Sequence, residues 1–143
     1  MQRTITRVLL ILFGLAEAVQ GIWATAIPMG FYLVFPGFRS GWVAMDGPFN
    51  EHLIRDFGSL SLALTAVLIG AAVIGTTAVA RMASIAALLF SVPHIGYHLG
   101  HLAHFPVADQ VLIVVTLALT VVVPLATLVL PGRREEVSSP ATP

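Results

Sequence analysis

Cysteine is absent from the 143 residues, and so is lysine. Without cysteine there is no disulfide, no thiolate metal site and no cysteine nucleophile. Without lysine, every fixed positive charge is one of seven arginines. They form no basic patch of the kind that holds nucleic acid. Charge of either sign is scarce, at 10% of residues, against about 25% in an ordinary soluble domain. Such a chain has too little charge to cover a water-facing surface.

What is present is apolar: 57% of residues are hydrophobic and the mean hydropathy is +0.94. A membrane-spanning helix needs about 20 apolar residues. Four such spans with their connections use up the chain, so a single transmembrane domain over residues 1–132 is expected. The spans read as 7–27, 51–74, 81–104 and 109–130. Pro28 ends the first, Pro48 precedes the second, Pro93 lies inside the third, where a kink is expected, and Pro131-Gly132 stops the fourth. Residues 28–50 carry Phe31, Tyr32, Phe35, Phe38, Trp42 and Phe49 among turn formers. Aromatics at that density belong at a membrane–water boundary, so this stretch reads as an ordered outer cap. The polar tail 133–143 reads as disordered.

The arginines set an orientation. With the N-terminus inside, Arg3, Arg7, Arg81, Arg133 and Arg134 are cytoplasmic, and Arg39 and Arg55 are outside. That excess favours an up-down, all-α four-helix bundle of the cell membrane with N-terminus and C-terminus both cytoplasmic. Ala16-Glu17-Ala18 and Ala24-Thr25-Ala26 resemble signal-peptidase sites, but the run stays apolar past both for long enough to span.

Ionisable residues at membrane depth cost at least about 2.5–3.5 kcal/mol at a helix centre and persist where they face the bundle interior. In span three, His94, His98 and His101 fall at i, i+4 and i+7, on one face, with Ser91 extending it and His104 to one side. Gly96 and Gly100 offer a close approach to a neighbour. Span two places His52, Arg55, Asp56 and Ser59 on one face, span one Glu17 and Gln20, and span four Asp109, Thr116, Thr120 and Thr127. Glu17 and His94 are expected at similar depth. The stripes converge on a polar cavity open to the outside, above an apolar cytoplasmic half.

Two histidines one turn apart with a carboxylate suit a divalent metal, Zn or Fe(II). Glu17, His94 and His98 are the candidate ligands, with His101 a further one. Haem fits less well, because His52 is the one histidine outside span three and lies at the outer mouth. A second reading is a redox or ligand pocket for a small molecule such as a quinone, using Arg55, Asp56 and His101 with the proton-handling groups of the stripe. A third is non-enzymatic: neutral, hydrogen-bonded polar residues pack an accessory subunit that joins a partner or a second copy of itself. Arg55 has its own pair of readings, an anion or lipid phosphate on one side and pairing with Glu51, Asp56 or Asp109 on the other. No serine sits in a nucleophile motif.

The stretch Asn50-Glu51-His52-Leu53-Ile54-Arg55-Asp56-Phe57-Gly58-Ser59-Leu60, with Ala63-Leu64 after it, resembles the start of the second helix in small bacterial membrane proteins of the DoxX-like type. So does Pro93-His94-Ile95-Gly96-Tyr97-His98-Leu99-Gly100-His101. The resemblance implies a four-helix membrane bundle, and some members of that group are associated with quinone-linked sulfur oxidation.

Overall fold

The computed structural model describes residues 2–39 and 41–130; the tail expected to be disordered, with Arg133 and Arg134, lies outside the described residues. The described chain is helical. It comprises α1 (Gln2–Ala26), α2 (Pro28–Val34), α3 (Trp42–Asp46), α4 (Glu51–Ile74), α5 (Thr77–His101) and α6 (Val107–Val129), with a 3₁₀ turn at Leu102–His104 before α6. Four stretches are long and apolar enough to cross a membrane: Arg3–Ala26, Glu51–Ile74, Thr77–His104 and Val107–Val129. They mark a multi-pass membrane protein. Each also exposes large apolar side chains, among them Leu12, Leu60, Leu89 and Val122, as lipid-facing helices do.

Local chemistry explains the helix ends. The Asn50 side chain accepts from the Leu53 N–H and caps α4. Gly75 closes α4 in the left-handed region at φ +73°, a conformation that costs glycine no Cβ strain. Thr76 then caps α5 through the Val79 N–H, so α5 starts at Thr77 rather than at Arg81. Pro93 lies inside α5, and Pro124 lies inside α6, where it is buried. Each removes one backbone donor, and the helix continues through it.

α1 packs most extensively on α4, and α5 on α6. The close approaches of α1 and α4 run in opposite order along the two helices. A Cβ at Gly14 would meet Leu68 and Ile69, one at Gly21 would meet Gly58 and Leu62, and one at Gly58 would meet Thr25. Gly96 and Gly100, by contrast, have nothing within 4 Å of a Cβ position. The expected close approach at those two glycines is therefore not formed among the described residues. The glycines that bring backbones together are Gly21 and Gly58.

The α5–α6 pair carries a polar contact. Ser84 and Thr127, each fully buried, meet hydroxyl to hydroxyl at 2.7 Å. Each hydroxyl also lies within reach of a carbonyl of its own helix, Ser84 of Ala80 O at 2.8 Å and Thr127 of Pro124 O at 3.1 Å, so that one hydroxyl donates to the other, which donates to its own helix. Either hydroxyl keeps a partner when the other is removed. Ser84→Ala is therefore expected to cost only about 0.5–1.5 kcal/mol, the range for side-chain hydrogen bonds between membrane helices. The doubly substituted Ser84→Ala, Thr127→Val protein should lose little more. Denaturant titration of the parent and the two variants in micelles checks this, and a cost above about 3 kcal/mol for the single change would contradict it.

Candidate functional site

The 28–50 segment covers one end of the bundle. Its two short helices are held by rings. Phe31, 3% exposed, meets Trp23 edge-on at 5.7 Å, Phe35 at 4.6 Å and Phe57 of α4 at 5.7 Å. Tyr32 packs on Phe49 and donates to Gly47 O at 2.9 Å. Trp42 enters a cluster with Phe105 and Ile113. Arg39 clamps the segment to α6: its Nε lies 2.5 Å from Asp109 Oδ1, and Asp109 is 4% exposed. The Trp42 indole lies near this carboxylate, with its Nε1 buried and without a hydrogen-bond partner among the described residues.

Beneath the cap, the ring contacts continue along α5. Phe90 lies 6.2 Å from Phe57 and stacks on His94 at 5.1 Å. His94 meets His98 at 4.8 Å, Tyr97 stacks on His101 at 4.1 Å, and His101 meets His104 at 5.7 Å. The Asp46 carboxylate at the end of α3 faces His94 and His98 electrostatically. Sequence reading missed Asp46, because nothing in its spacing relates it to α5. Only the fold of the cap brings it there.

Several buried polar atoms at this end and along the stripe below it have no hydrogen-bond partner among the described residues: Asp46 Oδ1, His98 Nδ1, Ser91 Oγ, Thr25 Oγ1 and Glu17 Oε2. Glu17 is 1% exposed. The side chains of Gln20 and Ser61 approach its carboxyl, which is thereby turned toward α4.

Among the described residues, no group of three or more histidine and carboxylate side chains is gathered closely enough to hold a metal ion. Glu17, His94 and His98 thus do not come together as the expected ligand set. Glu17 is engaged at the α1–α4 contact, while the His94 and His98 rings lie against each other on α5. His101 is turned to its own helix, with Nδ1 2.8 Å from Tyr97 O.

The other expected residues sit on the surface of α4. Arg55 pairs with Glu51 at 2.9 Å and donates to the Thr25 carbonyl, tying α4 to α1. Asp56 lies 3.4 Å from His52, both exposed. Of the partners considered for Arg55, Glu51 is the one it takes, and Asp109 is taken by Arg39. No family model, no curated protein and no solved structure matches the chain.

Proposed function

We propose that this is an up-down four-span protein of the cell membrane, both termini cytoplasmic, that binds a small redox-active ring of the quinone class beneath its outer cap. The five-to-two arginine distribution supports the orientation. One observation carries the ligand: Ser91 Oγ, His98 Nδ1 and Asp46 Oδ1 are each buried without a partner. Ser91 and His98 share one face of α5, and Asp46 lies within electrostatic range of His98. A buried polar group without a partner costs about 1–3 kcal/mol, so three together favour an occupant with matching groups.

A quinone ring supplies them. Its carbonyl oxygens accept from the serine hydroxyl and the imidazole, and the hydroxyl of its reduced form donates to Asp46. The flat apolar ring suits the aromatic surface of Phe90 and His94. The DoxX-like resemblance of residues 50–64 and 93–101 points to the same ligand class. The metal reading stands behind this one, since no ligand set is assembled among the described residues. The accessory-subunit reading is what remains if no ligand binds.

Trp23 and Trp42, both in or against the cap, give the readout. Titrating the detergent-purified protein with a short-chain quinone is expected to quench tryptophan emission saturably. His98→Leu should weaken binding about tenfold or more, as loss of one good hydrogen bond to the ring implies. Quenching that never saturates, or that is equal in His98→Leu, would leave the accessory reading in its place.

A further inference from the structure

The opposite end of the bundle has a different character. All five carboxylates among the described residues, Glu17, Asp46, Glu51, Asp56 and Asp109, lie in the middle or toward the cap. The far end holds Arg3, Arg7 and Arg81. The Arg81 Nε donates to the Leu128 carbonyl at 3.2 Å, whereas Arg3 and Arg7 make no ion pair among the described residues.

Arg3 and Arg7 are one turn apart on α1, so they project from one face. Between them and the α4–α5 turn lies a shallow cleft. Arg3, Thr6 and Arg7 line one wall, Leu10 lies deeper, and Gly75 and Ala80 belong to the other wall. The second wall is built of small residues, the space between the walls is narrow, and the exposed Arg3 and Arg7 stand at its mouth. The second wall also contains the start of α5, a 25-residue helix whose N-terminal end carries partial positive charge.

We infer that the mouth of this cleft, at Arg3 and Arg7, is a binding site for the phosphate of an anionic phospholipid headgroup. Two guanidinium forks match phosphate oxygens, and the dipole of α5 adds to them. The site lies at a helix boundary, where headgroups are. The inference is independent of the quinone reading, because it uses the other end of the molecule.

The test is native mass spectrometry of the full chain from neutral detergent, with phosphatidylglycerol, with phosphatidylcholine of the same acyl chains, and with inorganic phosphate as competitor. Phosphatidylglycerol should be retained, and phosphatidylcholine about tenfold less. The doubly substituted Arg3→Gln, Arg7→Gln protein should lose about tenfold in phosphatidylglycerol retention, as expected for removing charge-assisted phosphate contacts. Arg3→Lys, Arg7→Lys keeps the charge and guards against a folding defect; it should fall between the two.

Equal retention of both lipids would overturn the inference. So would retention unchanged in the glutamine variant, or a lysine variant as weak as the glutamine one. Displacement of the lipid by millimolar inorganic phosphate would show the site to be for free phosphate and would overturn the lipid assignment.

Discussion

Gly58→Ala is expected to unfold in micelles at markedly lower denaturant than the parent, with a loss of about 3 kcal/mol, the upper end of the range for overpacking. A Cβ at this position would clash with Thr25 Oγ1 and would lie 2.8 Å from the Thr25 backbone nitrogen and 2.9 Å from the Gly21 carbonyl oxygen. Backbone atoms cannot swing aside as a side-chain tip can, so α1 and α4 must separate. Their packing supplies part of the main apolar cluster, through Leu10, Phe13, Leu64 and Leu68. In lipid there is little hydrophobic drive to bring the helices back, and close packing is what holds them.

The other glycines grade the effect. Gly21→Ala meets the Gly58 carbonyl oxygen and Leu62 Cγ at 3.0 Å and should cost less. Gly14→Ala meets chiefly the flexible Ile69 tip, at 2.8 Å, and should cost less still. Gly70→Ala and Gly96→Ala have nothing within 4 Å and should be neutral or slightly stabilising, since alanine favours helix. Far-UV circular dichroism across a denaturant series orders the five variants. A Gly58→Ala midpoint equal to that of Gly96→Ala would sink the account.

This ordering also marks where the sequence was readable. The four apolar runs gave the long helices, because length and hydropathy alone decide whether a helix can cross lipid. The helix starts at Thr77 and Val107 were less legible than the runs, since a cap acts through one hydrogen bond or one proline. Small residues were visible as a type. Yet Gly96 and Gly100 meet open space while Gly58 is buried in a crossing, because a glycine takes its role from the helix opposite, which the sequence does not place.

The polar stripe divides the same way. Periodicity put His94 and His98 on one face. It did not show that Glu17 turns to Ser61, or that the cap brings Asp46 within electrostatic range of the histidines. Both facts depend on tertiary arrangement, and both bear on whether the site holds a metal or an organic ligand. Arg39 and Asp109, 70 residues apart in sequence, met for the same reason.

Phe31→Ala carries the second large effect, and it separates the cap from the bundle. The ring is 3% exposed and touches Trp23 of α1, Phe35 of the cap and Phe57 of α4. Removing it takes away the central piece of a three-way aromatic junction, and a buried phenylalanine cut to alanine costs about 3–5 kcal/mol. The loss should fall on the docking of residues 28–50, because the α1–α4 glycine contacts and the Ser84–Thr127 contact do not involve Phe31. Helix content should therefore stay near that of the parent. The Trp23 and Trp42 emission should shift to the red as both indoles lose their packing, and the cap should become sensitive to limited proteolysis. Since Asp46 is held within electrostatic range of His94 and His98 by the docked cap, quinone binding should weaken by at least the tenfold expected of His98→Leu. Phosphatidylglycerol retention at the Arg3–Arg7 end should be unaffected. Loss of helix content together with both kinds of binding would instead mean that cap and bundle fold as one cooperative unit. Retained quinone binding with an undocked cap would remove Asp46 from the site.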